Sequence, residues 1–173
     1  QRDRLQGPVL EKHLAYWKRT LHGAPGSLDL PYDHPGGGES TFQGAWKTVT
    51  LSRPLTDAIQ SLNRRHDSTS FMVMLAALIV VLSKWTRQTD IVIGTVAAGR
   101  ERQEIEHLIG CFMNFLPLRI QLEGDRKETA LDILTRAKNA ILESHPHLDC
   151  PFEKVVEAIN PERHLHQNPL YNV

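Results

Sequence analysis

A mixed α/β fold, one β-sheet layered with helices, is the class this sequence predicts, and three observations carry the prediction. Ile91-Val92-Ile93-Gly94-Thr95-Val96-Ala97-Ala98 is a short, β-branched apolar run of the kind that forms a buried strand. Phe112, Asn114, Leu116, Leu118, Ile120 and Leu122 then fall on one face under a period of two, a second strand. Around these runs, apolar residues recur at helical spacing in several separate segments. The chain has 173 residues, 40% apolar and 23% charged, enough for one domain with a real core and hardly enough for two.

Taken in order, Pro8 to Leu21 reads as a helix, with Leu10, Leu14, Trp17 and Leu21 on one stripe and Gly23 as its stop. Pro25, Pro31, Pro35 and Gly36-Gly37-Gly38 make a long loop, which Leu28-Asp29-Leu30-Pro31 is placed to pin against a body. Phe42 to Ser52 alternates as a strand, with Ala45, Val49 and Leu51 on one side. Pro54 then opens a helix with the stripe Leu55, Ile59 and Leu62.

Ser68-Thr69-Ser70 offers an N-cap for a helix over Phe71–Trp85, which is apolar all round and so expected to be buried on several sides. Asp90 to Leu122 holds the two strands, joined by a polar segment with Gly99 and Arg100. Asp125 and Glu128 have capping-box spacing ahead of a helix striped by Ala130, Leu134, Ala137 and Ile141. Pro146 should end that helix near Ser144. A shorter helix from Pro151 has Phe152, Val155, Val156 and Ile159 as its inner face, and Pro169–Val173 begins a last extended piece that reads as a strand. The chain starts at Gln1 without Met and stops inside that piece, so both ends read as cuts in a longer polypeptide.

Composition removes several function classes. Lys+Arg and Asp+Glu are both 20, and no basic run interleaves with aromatics, which disfavours nucleic acid as a partner. The longest apolar run, Phe71 to Leu82, is too short to span a bilayer, and the start carries no secretory signal. Two cysteines without CxxC spacing, Cys111 and Cys150, fit a reducing compartment and a cytoplasmic protein.

Chemical motifs are sparse. The histidine pairs His145/His147 and His164/His166, with Asp149 near the first, flank proline-interrupted loops and lack the ligand spacing of a zinc site, so no metal is expected. There is no GxSxG elbow, Walker A loop or GxGxxG, and Cys111 and Cys150 read as small buried hydrophobes. Arg100 follows an apolar strand and Gly99. Its guanidinium suits either a carboxylate partner or the anchoring of a loop, the second being favoured. Asn114 is the one amide on an apolar face. It is either a structural group bonded to backbone or a contact for a substrate, and the residues leave both open.

Six motifs stand in a fixed order. They are Ala15-Tyr16-Trp17-Lys18 with Leu30-Pro31-Tyr32-Asp33-His34-Pro35; Thr69-Ser70-Phe71-Met72-Val73-Met74-Leu75-Ala76-Ala77; Asp90-Ile91-Val92-Ile93-Gly94-Thr95 through Ala98-Gly99-Arg100; Ile109-Gly110-Cys111-Phe112-Met113-Asn114; His147-Leu148-Asp149-Cys150-Pro151-Phe152-Glu153; and Asn168-Pro169-Leu170. Together they resemble the C-terminal half of a nonribosomal peptide synthetase condensation domain. They match its YW…LPxDxP, long buried helix, AGR turn, IGxFxN, HQDxPFE (with Leu148 in place of Gln) and NPL. Residues 1–173 then form the C-terminal lobe of such a domain.

The resemblance implies a chloramphenicol-acetyltransferase-like fold of two lobes in a V, with a tunnel between them. There an aminoacyl amine attacks an acyl or peptidyl thioester, both carried on phosphopantetheine arms that enter as substrates. No cofactor is bound directly. The implied partners are the N-terminal lobe and the upstream and downstream carrier proteins, with no nucleic acid and no membrane. Thr95, Arg100, Gly110, Phe112 and Asn114 would line the substrate tunnel, while His147, Asp149, Pro151, Phe152 and Glu153 form a structural motif. No catalytic residue carries over, because HHxxxDG, whose second His is the catalytic one, belongs to the N-terminal lobe and is not in this sequence. Within the same resemblance a docking lobe without catalysis, or part of a heterocyclisation or epimerisation domain, are the alternatives.

Overall fold

The computed structural model describes residues 5–33, 44–100, 103–124, 128–161 and 168–173. Among the described residues, five α-helices surround a two-stranded antiparallel sheet: α1 (Gly7–Leu21), α2 (Arg53–His66), α3 (Ser70–Thr86), β1 (Asp90–Ala97), β2 (Asn114–Gln121), α4 (Ala130–Ser144) and α5 (Phe152–Ile159). Short 3-10 turns lie at Gln103–Ile105 and His145–His147.

β1 and β2 pair from Asp90↔Gln121 to Ala97↔Asn114, which places Ile91 opposite Ile120 and Ile93 opposite Leu118 on one face. That face carries a core with Met72, Leu75, Ile79 and Leu82 of α3 and Leu134 and Ala137 of α4. Val92 points the other way, into a second core with Tyr16, Trp17 and Leu21 of α1 and Val155 and Val156 of α5. The alternation read from the sequence sorts these residues between two cores, with Leu116 the exception: it shares the parity of Leu118 and Ile120 yet joins the second core. Pro117 faces Gly94 in the ladder, an edge-strand position that tolerates a residue with no N–H.

Arg119 ties layers together on the α1 side. Its guanidinium grips the Asp90 carboxylate and donates to the carbonyls of Thr20 at 2.9 Å and His22 at 2.8 Å, acceptors that the end of α1 leaves open. Leu28 is pinned as expected. Its N–H donates to Asn172 Oδ1 at 2.9 Å and its carbonyl accepts from Asn172 Nδ2 at 3.0 Å.

Four expectations need correction. Gly44–Ser52 forms no strand: it is exposed along its length, and among the described residues no strand lies beside it to take its backbone hydrogen bonds. The part of that expectation at Phe42, the Gly36–Gly38 run, Asp125 and the His164/His166 pair lie outside the described residues. Helix α4 is capped by Thr129, whose hydroxyl accepts from Asp132 N while the Asp132 carboxylate accepts from Thr129 N. Thr wins because its short hydroxyl reaches the third backbone N–H of the helix.

Helix α3, capped by Thr69, is buried on one side only. Phe71, Met74, Leu78, Val81 and Trp85 stay 40–65% exposed, because α4 and the sheet cover a single face. Pro169–Val173 forms no assigned strand, although Val173 O accepts from Gly94 N at 2.8 Å. Among the described residues no single helix is long and apolar enough to cross a membrane; α2 and α3 pass only as a pair, bent by 104°.

Candidate functional site

The site forms where the open end of the sheet meets the segment between α4 and α5. Gly99 has φ +65°, and a Cβ there would collide with the carbonyl oxygen of Phe112, so the two strand ends approach as only glycine allows. Arg100 then closes the connection. Nη1 donates to the carbonyls of Ile105 at 2.8 Å, Glu106 at 3.3 Å and Leu108 at 2.9 Å. Nη2 donates to Gly110 O at 2.9 Å, and the guanidinium lies 4.5 Å above the Phe112 ring. A planar five-donor fork suits this work. Of the two roles open to Arg100, loop anchoring is the one its geometry displays.

Asn114 opens β2 and holds the opposite wall. Its Nδ2 donates to Leu148 O at 2.8 Å and Cys150 O at 2.7 Å, while Oδ1 accepts from Phe152 N at 3.1 Å. Both amide hydrogens are committed to backbone carbonyls, so the amide shapes the wall. The amide is structural, which answers why it sits on an apolar face.

Between these two devices lies a cavity of about 380 Å³ lined by Gly99, Ile105, Cys111, Phe112, Met113, Asn114, Phe115, Leu148, Asp149, Pro151 and Glu153. The IGCFMN and HLDCPFE segments, far apart in sequence, therefore share one wall. Thr95 lies instead in a neighbouring apolar pocket of about 250 Å³ with Phe71, Val96, Leu116 and Ile141, and Leu148 is common to both. Gly110 does not line the cavity, and its carbonyl is held by Arg100. Phe152 turns away from the cavity to pack on Phe115 and Tyr171, at 6.1 and 5.8 Å between ring centroids.

His147 is the outlier of its motif. It does not line the cavity. Its ring stacks on Tyr16 of α1 at 3.9 Å and 3° between planes, and its Nδ1 lies 3.0 Å from His13 Nδ1. Burial, then the charges of His13, Lys12 and Arg19, hold its pKa below the ordinary imidazole range. Cys150 is 1% exposed and burial pushes its thiol up to about 11, whereas Cys111 is exposed at the cavity. Among the described residues no group of three or more His, Cys, Asp or Glu is placed to hold a metal ion.

Sequence reasoning missed Cys111 and Met113 as lining residues, and His13 and Tyr16 as partners of His147. The spacing of His13, Tyr16 and Trp17 on one helical face was the available signal. Cys111, expected to be buried, is exposed.

Comparison with known proteins places this geometry among relatives. The family model described as "Condensation domain" matches residues 1–173. Malpinin synthetase of Mortierella alpina is 43% identical over 173 residues, which are 100% of this chain and 2% of that protein. Phosphinothricin tripeptide synthetase PhsC of Streptomyces viridochromogenes is 36% identical over 173 residues, again 100% of this chain, and 16% of that protein. The chain thus spans only a small part of the length of these relatives. Among solved structures, the X-domain from teicoplanin biosynthesis superposes with a TM-score of 0.89 at 26% identity, covering 99% of this chain and 38% of that one. A four-domain nonribosomal peptide synthetase, holo-AB3403 bound to AMP and glycine, shares the fold with a TM-score of 0.90 at 24% identity, over 99% of this chain and 13% of its own.

Proposed function

Because the chain belongs to the condensation-domain family, with the chloramphenicol-acetyltransferase-like fold of that family, we propose that it is the C-terminal lobe of a domain joining two carrier-bound thioesters by an amide bond. The single observation behind this reading is the cavity where the IGCFMN and HLDCPFE segments meet, held by Asn114 on one side and Arg100 on the other. In this reading it is a wall of the tunnel into which phosphopantetheine arms deliver their substrates. Phe112 shapes the wall with them, Thr95 lines the adjoining pocket, Arg100 holds Gly110, and Asp149, Pro151 and Glu153 form the far side on a segment that His147 and Phe152 anchor outside the cavity.

The reaction forms a C–N bond as the thioester C–S bond breaks; the ammonium gives one proton to a base, the attacking nitrogen loses a second, and the sulfur takes up a proton and leaves as a thiol. Asn114 spends both amide hydrogens on the wall, so it contributes shape. The proton step falls to HHxxxDG of the N-terminal lobe. Carrier proteins on either side of the domain and that lobe are the partners. The two free cysteines agree with a reducing, cytoplasmic setting.

The test is an amide-product assay with an acyl and an aminoacyl holo-carrier protein. The chain alone should give no product above background, and addition of a separately made N-terminal lobe bearing HHxxxDG should restore turnover. Turnover by the chain alone sinks the reading. Carrier binding without product even with that lobe would mark a docking module instead.

A further inference from the structure

The segment from His147 to Phe152 is held at two ends by different chemistry. Asn114 grips one end through Leu148 O, Cys150 O and Phe152 N, bonds that do not change with pH in the physiological range. The other end is the contact of His147 with α1. There the two imidazole Nδ1 atoms of His147 and His13 face each other at 3.0 Å, with the rings nearly perpendicular at 87° and 5.0 Å between centroids. An N–H···N bond between two imidazoles needs one proton between the facing nitrogens, one ring donating and the other accepting. A proton added to the outer nitrogen of the donating ring leaves that bond in place; only when the accepting ring is protonated as well does donor face donor and cation face cation.

The surroundings sharpen this. Lys12 and Arg19 of α1 bring positive charge toward His147, and Tyr16 presents its ring face. Glu143 of α4 acts on the Tyr16 phenol, and His145 and Asp149 flank His147 on its own segment. His147 O accepts from Cys150 N at 3.2 Å, so a displaced His147 carries the next turn of chain with it. Leu148, Asp149 and Pro151 of that chain line the cavity.

We propose that His13 and His147 form a pH-operated latch, which fixes the His147–Phe152 wall of the cavity to α1 near neutral pH and releases it in acid. The device stands whether or not the cavity is a condensation tunnel. At neutral pH one proton lies between the facing nitrogens, and release comes when acid has protonated both rings. Because burial and the neighbouring cations hold the His147 pKa below the ordinary 6.5, release begins below that value.

Amide hydrogen exchange by NMR on the full chain, corrected for the intrinsic pH dependence, tests the latch. Between about pH 7.5 and about pH 5, protection at the Leu148 and Cys150 N–H groups should fall about tenfold or more, the equivalent of one pKa unit. Protection at Ile91 and Ile120 in the sheet should hold. His13→Gln, which keeps a polar side chain but cannot titrate, should abolish the fall and bring the His147 imidazole resonances to titrate nearer the ordinary value. His22→Gln, an exposed histidine elsewhere, should leave the fall unchanged. A flat wild-type profile, or a fall that persists in His13→Gln, overturns the proposal.

Discussion

Gly94 and Tyr171 compete for one volume: the tyrosine ring fills the space that a Cβ at position 94 would occupy. The same glycine donates its N–H to Val173 O at 2.8 Å, so ring and backbone seat the 171–173 segment on β1 together. Gly94 is not among the positive-φ glycines, and the three atoms nearest to a Cβ there all belong to the ring. Gly94→Ala should cost about 1–3 kcal/mol in urea denaturation, the range for overpacking. The Gly94→Ala/Tyr171→Ala double variant should lose less than the sum of the singles, because the clash is gone. Simple additivity would refute the packing argument.

Asn114 makes three bonds to backbone, each worth about 1 kcal/mol net, so Asn114→Ala should lower stability by about 2–4 kcal/mol. Asn114→Asp should be at least as damaging near neutral pH. Its carboxylate keeps the acceptor for Phe152 N but sets negative charge against the Leu148 and Cys150 carbonyls. Chemical denaturation compares the two. An Asp variant as stable as wild type would mean that the donors are dispensable.

Arg100 serves four carbonyls from one planar group. Lys offers a single ammonium that cannot span them, so Arg100→Lys should behave almost like Arg100→Ala. Both should cost about 1 kcal/mol of global stability, as these bonds are partly in solvent, and both should speed proteolytic cleavage between Gln103 and Cys111 severalfold. Cleavage at the wild-type rate in Arg100→Lys would contradict the anchoring role.

The two thiols should separate by exposure. Near pH 8 a disulfide reagent should label Cys111 rapidly and leave Cys150, whose thiol is pushed up to about 11, unlabelled until the chain is unfolded. The folded pKa lies above the ordinary 9.0, so the unfolded chain releases this proton first. Stability should therefore be complete below pH 9 and decline as the pH rises toward 11, and Cys150→Ala should flatten that decline. Equal labelling of both thiols in the folded chain would contradict this packing.

What the sequence made legible follows from periodicity. The strands Asp90–Ala97 and Asn114–Gln121 and the helices α1 to α5 sit within a few residues of their expected places, because each buries a face whose spacing matches its backbone period. Gly44–Ser52 alternates just as well yet forms no strand, since alternation fixes a face but does not supply a partner. The even hydrophobicity of α3 likewise hid which of its sides would be covered, and Phe71, Met74, Leu78, Val81 and Trp85 stay exposed.

By itself, then, the sequence determined the family, the five helices and the two paired strands, and the residues of the IGCFMN and HLDCPFE segments. Only tertiary structure decided what those residues do. Asn114 reaches across 34 to 38 positions to backbone groups, and His147 across 134 to His13. Contacts of such separation depend on how the sheet sorts α1 and α5 to one face and α3 and α4 to the other, and no local spacing encodes that.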